Sequence, residues 1–244
     1  MIISINSYME RLQMLNLIKL EMRRFGIAAY VKSIIIINFL MSAIVLALYY
    51  AVPLTGEPNP LASYQDALFI IDRLVRVVFI LYAAVLISRL IIGEYKNKTI
   101  SLLFTYPINR KKIILSKLLI VCTLTFAMIL ISNVFVTFIF WVADSIVSYI
   151  PGSLAMEDLG QQAIKIVVQA VAASGMSLIP LYFGMLKKSV PTTILSSFIV
   201  LLITTTSIFR ETLGSIILTS ALLAAAGPLV SYLSIRNVEY TDAS

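Results

Sequence analysis

Six stretches of this 244-residue chain are apolar for long enough to cross a bilayer, and short polar or basic segments separate them. They run over 31–52, 74–92, 113–142, 164–186, 190–209 and 213–235. A hydrocarbon core of about 30 Å takes about 20 helical residues, so each window predicts one transmembrane helix. The third is too long for one crossing and is expected to continue into the cytosol as a stalk bearing Lys117. Pro53, Pro58 and Pro60 close the first window, and Pro151-Gly152 breaks the chain after the third. Pro180, Pro191 and Pro228 lie in or at the start of later windows, where neighbouring helices can satisfy the carbonyls that proline leaves free.

A different pattern occupies residues 1–30. Ser7-Tyr8-Met9-Glu10 fits a capping box, and Tyr8, Leu12, Leu15, Ile18, Met22 and Phe25 then recur at helical spacing. Arg11, Lys19, Arg23 and Arg24 lie on or beside the other face, and Gly26 marks a break before the first window. This spacing predicts an amphipathic helix in the membrane interface, its cations on anionic headgroups, acting as a topology anchor or as a moving part. The apolar run begins only behind this charged segment, so a cleavable signal is not expected.

Composition agrees with the bilayer as main solvent. Sixty per cent of residues are hydrophobic, 13% are charged and the mean hydropathy is +0.97. Lysine and arginine set the orientation. Five lie in residues 1–32 and seven in 89–117; with Lys187, Lys188 and Arg236 they place 15 of 19 on one side. That side is cytoplasmic by the positive-inside rule, and both termini lie there. The net charge of +7 is therefore a topology signal, not a sign of nucleic-acid binding. The predicted organisation is an interfacial helix over 1–30, a six-helix transmembrane domain over 31–235 and a cytoplasmic tail over 236–244.

Chemistry is sparse. One cysteine, Cys122, excludes an intramolecular disulfide. The absence of histidine removes zinc-protease and triad chemistry, and no phosphate-cradling G-x-x-x-x-G-K-[ST] loop is present. The carboxylates Asp72, Asp144 and Glu157 are expected near the outer ends of spans, too shallow for an intramembrane aspartyl site. An enzyme is not expected, nor a metal site or a cofactor.

One segment stands out, the basic cytoplasmic loop over 93–117. Glu94, Lys96, Lys98, Arg110, Lys111, Lys112 and Lys117 crowd into it, yet its middle reads Thr99-Ile100-Ser101-Leu102-Leu103-Phe104. A plain connector has no use for that apolar middle, whereas a loop that docks on another protein does. Thr99 can cap a short helix whose Leu102, Leu103 and Phe104 present an apolar ridge. Pro107 ends that helix, and Glu94 can hold Lys98 or Arg110. Arg110 can meet acidic groups on a partner, while Lys111 and Lys112 suit lipid phosphates better.

Glu94-x-x-x-Lys98-Thr99, Leu102-Leu103, Pro107-x-x-Arg110 and Ser116-Lys117 resemble the pattern of the ABC-2 type transporter permeases. The interfacial helix, six spans and inward termini extend the resemblance over the whole chain. It implies the permease subunit of an ABC exporter in the plasma membrane. A separate ATP-binding subunit would hold ATP and Mg, and two permeases would pair with two ATPases, as a homodimer or with a homologous permease. Glu94, Lys98, Thr99, Leu102, Leu103, Phe104, Pro107 and Arg110 would form the ATPase-coupling element. One departure is the short 210–212 connection, which leaves no room for the re-entrant outer helices of larger relatives; the long outer loop is 143–163 instead.

Within the spans, Thr193, Ser197, Thr204 and Ser207 form a stripe that packs helices or, alternatively, lines a translocation path. Asp72 and Arg76, one turn apart, are expected to pair, with an outer gate as the second reading. Spans with so little charge suit a hydrophobic or amphipathic cargo, a small peptide first. Efflux of a drug, lipid or ion is the alternative, as is a non-transporting anchor or sensor that recruits an ATPase. An ion-coupled carrier would need a buried carboxylate or an inverted repeat, and neither is evident in the sequence.

Overall fold

The computed structural model describes residues 27–55, 63–93, 110–147, 150, 156–187, 189–205 and 213–236. Among these the secondary structure is entirely helical: α1 (Ile27–Thr55), α2 (Tyr64–Ile87, running on through a π-helical turn at Ser88–Ile92), α3 (Arg110–Val147), α4 (Met156–Met176), α5 (Pro180–Lys187), α6 (Val190–Thr205) and α7 (Leu213–Arg236). Four stretches are long and apolar enough to cross a membrane, namely Tyr30–Tyr50, Tyr64–Ile92, Ile113–Val147 and Gly160–Lys187. The apolar parts of α6 and α7, Val190–Leu202 and Thr219–Ser231, are shorter. The capping box at Ser7 and the rest of 1–26 lie outside the described residues, as do most of the 93–117 loop and the 237–244 tail.

Contacts across the bundle fix the register. Tyr64 meets Asp144 at one end of the α2–α3 pair, and Leu90 meets Lys117 at the other, so these helices are antiparallel. Phe39 stacks edge-on against Phe135, and Tyr49 against Phe140, so α1 runs parallel to α3. The end that carries Gly93 and Arg110 is called the loop end below, and the end that carries Ser63 and Val147 the far end.

Several helices run beyond their apolar windows, and α2 and α3 show why. The second window starts at 74 because Asp66, Asp72, Arg73 and Arg76 interrupt it, yet α2 starts at Tyr64. Ser63 caps it: its hydroxyl accepts the Asp66 N–H at 3.2 Å and donates to the Asp66 carboxylate at 2.6 Å. Asp72 and Arg76 then neutralise each other across one turn, and Arg73 lies over the Phe69 ring at 5.8 Å. Asp72 is consequently buried two turns inside the helix, not at its outer end. Asp144 is buried as well. The third window does continue as an unbroken 38-residue helix, about 57 Å long. Its first turns are no free stalk, however: Ile113, Ile114, Ser116, Lys117 and Leu118 are all buried.

The fourth window breaks. Pro180 lacks an N–H, so α4 stops at Met176 and a turn intervenes, with Leu178 N–H on Gly175 O at 3.1 Å and Ile179 N–H on Met176 O at 3.0 Å. Ser231 of α7 donates to Leu178 O at 3.2 Å, so a neighbouring helix does satisfy a carbonyl at the break. Here α4 and α7 touch backbone to backbone. A Cβ on Gly227 would lie 1.7 Å from Gly175 O, and one on Gly175 would lie 2.5 Å from Ala224 O. Ala224 carries the carbonyl that Pro228 deprives of its intrahelical donor, and the bare Cα of Gly175 faces it.

Outward, the bundle presents Ile35, Ile36, Phe39 and Leu40 of α1, Ile131, Val134 and Phe138 of α3, and Leu195 and Leu202 of α6. In water such a surface would aggregate; in hydrocarbon it is the expected exterior. Helix α1 buries only a narrow stripe of Asn38, Met41, Ser42, Val45 and Tyr49.

The glycine contact yields a direct test. Gly227→Leu must displace backbone atoms, which costs at least the roughly 1–3 kcal/mol of ordinary overpacking. We expect a lower unfolding temperature and a smaller monodisperse fraction on size exclusion. A Cβ on Gly160 would meet nothing within 4 Å, so Gly160→Ala is expected to leave both unchanged or slightly improved.

Candidate functional site: the footing of the 93–117 loop and the buried polar groups

The loop end of α2 closes in a π-helical turn, Ser88–Ile92, directly before the segment that carries the motif. Wider turns of this kind leave carbonyls poorly matched to donors within the helix. Lys117, 2% exposed, reaches across from α3 and donates its Nζ to Leu90 O at 3.0 Å. Around it Leu86, Ile87, Leu90, Ile91, Ile114, Leu118, Val121, Leu178 and Leu181 form an apolar cluster. Ile92 also touches the site of Gly184, where an added Cβ would lie 3.1 Å from Ile92 Cδ1 and 2.2 Å from Thr193 Oγ1. The loop therefore springs from a packed platform made by α2, α3, α5 and α6.

Of the motif residues, Glu94, Lys98, Thr99, Leu102, Leu103, Phe104 and Pro107 lie outside the described residues. Arg110 is the first residue of α3. Thr193 and Ser197 are fully buried within this single chain. Thr193 donates to Ser189 O at 3.1 Å and packs on Gly184, while Ser197 turns its hydroxyl onto Ile194 O. Thr204 lies on α6, and Ser207 falls outside the described residues.

Asp72 and Arg76 do pair: Nη2 lies 3.0 Å from Asp72 Oδ2, and Nε donates to the Asp72 carbonyl at 3.4 Å. The side-chain amide of Asn133 on α3 donates to the same carboxylate. Asp72 Oδ1, Asn133 Oδ1, Asn38 Oδ1 and the Ser132 hydroxyl make no hydrogen bond among the described residues. Two turns further along, at the far end, Asp144 accepts from the hydroxyls of Tyr49 and Tyr64 and from the Ile150 N–H at 3.4 Å. One carboxylate thus joins α1, α2, α3 and the segment after α3. The levels of Asp72 and Asp144 are eight residues apart along α2, about 12 Å, so the two buried acids form no catalytic pair. Glu157 is in α4.

Sequence reasoning assigned Lys117 to a stalk and Asp144 to an outer loop, and it passed over Asn38, Asn133, Tyr49 and Tyr64. A signal was present: Asn38 and Asn133 are carboxamides deep inside strongly apolar runs, where polar side chains are costly.

Comparison with known proteins completes the site description. Residues 17–203 match the family model described as "ABC-2 family transporter protein". The uncharacterized protein YcbO of Bacillus subtilis (strain 168) is 40% identical over 229 residues, which cover 94% of this chain and all of that protein. No solved structure gives a significant match.

The Lys117 contact generates a second test. Lys117→Met keeps most of the apolar stem and strands the Leu90 carbonyl, a loss of about 1–3 kcal/mol. We expect a lower unfolding temperature for Lys117→Met, and partial recovery in Lys117→Arg because guanidinium can also donate to a carbonyl.

Proposed function

The chain belongs to the ABC-2 transporter family, and we propose that it is the permease subunit of an ATP-driven exporter. The family is a multi-pass membrane component of ABC transport systems, and the ATP-binding subunit is its expected partner. In our reading that subunit binds ATP and Mg and docks on the 94–110 loop. Two copies of this chain, or this chain and a homologous permease, enclose the path, and six spans place both termini in the cytosol.

The observation that carries the reading is the footing of the loop. Its described ends, the π turn and the first turns of α3, are joined by Lys117 and buried in a common apolar cluster. A docking loop transmits force only when its base cannot yield. Closure of the ATPase pair would then move α2 and α3 together as one body. The ridge of Leu102, Leu103 and Phe104 supplies the apolar contact, and Glu94, Lys98, Thr99, Pro107 and Arg110 shape the loop and its charge. The cargo we propose is hydrophobic or amphipathic, a small peptide first, because the lining available is apolar or hydroxylic. Thr193 and Ser197 act as packing residues in this scheme; Thr204 and Ser207 are the members of the stripe left to face a path.

Docking is tested by co-purification. Burying one leucine contributes about 1.5–3 kcal/mol, so Leu103→Asp is expected to abolish recovery of the ATP-binding subunit while membrane insertion persists. Recovery at the wild-type level would remove this loop as the docking element. Orientation has its own test, in which cysteines at Gly56 and Gly152 label from outside intact cells with an impermeant reagent and one at Asn97 does not. External labelling at Asn97 would reverse the topology and with it the docking scheme.

A further inference from the structure

Helices α1 and α2 run antiparallel and are joined at the far end through Tyr49 and Tyr64, which both donate to Asp144. They meet again at the loop end. There the Ser33 and Tyr82 hydroxyls are hydrogen-bonded to each other, and Tyr30 and Arg89 lie close enough to the Tyr82 hydroxyl to act on it electrostatically. Tyr30 and Tyr82 also pack against one apolar cluster, that of Leu86, Leu90 and Ile114. Three polar side chains from two helices thus gather around a single phenol. Two of them end in hydroxyls. The third, Arg89, carries a full charge, is exposed, and makes no hydrogen bond or ion pair among the described residues.

The group sits at the edge of the apolar layer. Tyr30 is the first residue of the Tyr30–Tyr50 span, and Arg89 lies in the last turn of the Tyr64–Ile92 span. Tyrosine hydroxyls and guanidinium groups are favoured at this depth, where lipid phosphates begin. Toward the membrane centre from Arg89, Val85, Leu81 and Val77 follow one another at four-residue spacing on one ridge of α2, and each is half-buried. On α1, Ile36 and Leu40 follow Ser33 at helical spacing and are exposed. A charged head with an apolar flank beneath it matches the two parts of a phospholipid.

We propose that Arg89 and Tyr30 bind the headgroup phosphate of one anionic phospholipid at the loop end of the crevice between α1 and α2. Arg89 offers a planar fork of donors that fits two phosphate oxygens. The Tyr30 hydroxyl adds a neutral donor from the other helix, and Tyr82, held by Ser33, lies between the two. Basic pockets between spans at this depth are suited to anionic headgroups. Lys32, exposed beside Ser33 in the chain, adds positive potential, which repels the cholinium of phosphatidylcholine but not the glycerol of phosphatidylglycerol. The lipid touches α1 through Tyr30 and α2 through Arg89, and so bridges the two helices. The site requires only the folded bundle and no ATP-binding subunit, so its test is independent of the export reading.

The test is native mass spectrometry of the purified full-length protein titrated with dioleoylphosphatidylglycerol or dioleoylphosphatidylcholine, with thermal unfolding in each lipid. One retained phosphatidylglycerol per chain is expected, with a higher unfolding temperature than in phosphatidylcholine. Arg89→Gln changes an exposed side chain outside the core and should weaken phosphatidylglycerol binding about tenfold, and Arg89→Lys should restore part of it. Lys187→Gln removes an exposed cation of α5, outside this crevice, and should leave binding at the wild-type level. Equal binding of the two lipids, or undiminished phosphatidylglycerol binding in Arg89→Gln, would overturn the proposal. An equal loss in Lys187→Gln would overturn it by reducing the effect to general surface charge. Equal stabilisation by inorganic phosphate would overturn it in favour of a free anion.

Discussion

Hydrocarbon offers a hydroxyl or an amide no partner, so every polar side chain in these helices must be satisfied from within. Most of them turn back on their own backbone. Ser42 donates to Asn38 O, Ser88 to Val85 O, Ser116 to Ile113 O, Thr125 to Val121 O and Ser174 to Val171 O, at 2.7–2.9 Å. A serine so disposed presents a small, closed surface to its neighbours and behaves in packing much like alanine. That is how α6 lays Thr193 on Gly184 and how helices rich in hydroxyls pack without a polar channel between them. Glycine takes the same economy further, and at Gly175 and Gly227 two backbones meet with nothing between them.

Groups that do not close on themselves tie helices together, and they sit at distinct depths. Asp144 gathers Tyr49 and Tyr64 at the far end; Lys117 holds Leu90 at the loop end. Helices α2 and α3 are thereby pinned at both ends over the length of the bundle. A pair restrained in this way resists sliding and splaying and responds to a push at one end by moving whole. The 94–109 segment joins the same two helices, so any force on it enters the bundle through the pair best braced to carry it.

Much of this was legible in the chain, and what was missed has common causes. Apolar windows located every described helix because period and length dominate in lipid. They misplaced the start of α2, because a window average penalises Asp66, Asp72, Arg73 and Arg76 without knowing that a cap, an ion pair and an aromatic face absorb them. They ran α4 and α5 together, since Pro180 reads as a kink or as a break depending on whether neighbours can satisfy the turn, and Ser231 stands 51 residues later. The Asp72–Arg76 pair was readable because it is local. The Leu90 partner of Lys117 and the tyrosine partners of Asp144 were not, because they lie 27 and 80 or more residues away, and spacing says nothing about such contacts.

Helix α1 shows where these constraints converge. Its surface is apolar almost all round, and its buried positions among the described residues form one stripe, Asn38 to Tyr49. Tyr49 fixes that stripe at the far end through Asp144. Toward the loop end Ser33 hydrogen-bonds Tyr82 of α2 and gives the helix a second polar contact. Apolar packing on lipid and on protein differ little in free energy, since lipid tails are as apolar as leucine. The seating of α1 therefore rests on shape and on these two polar contacts. The helix most exposed to lipid is thus held toward each end by a hydroxyl contact, Tyr49 on Asp144 and Ser33 on Tyr82.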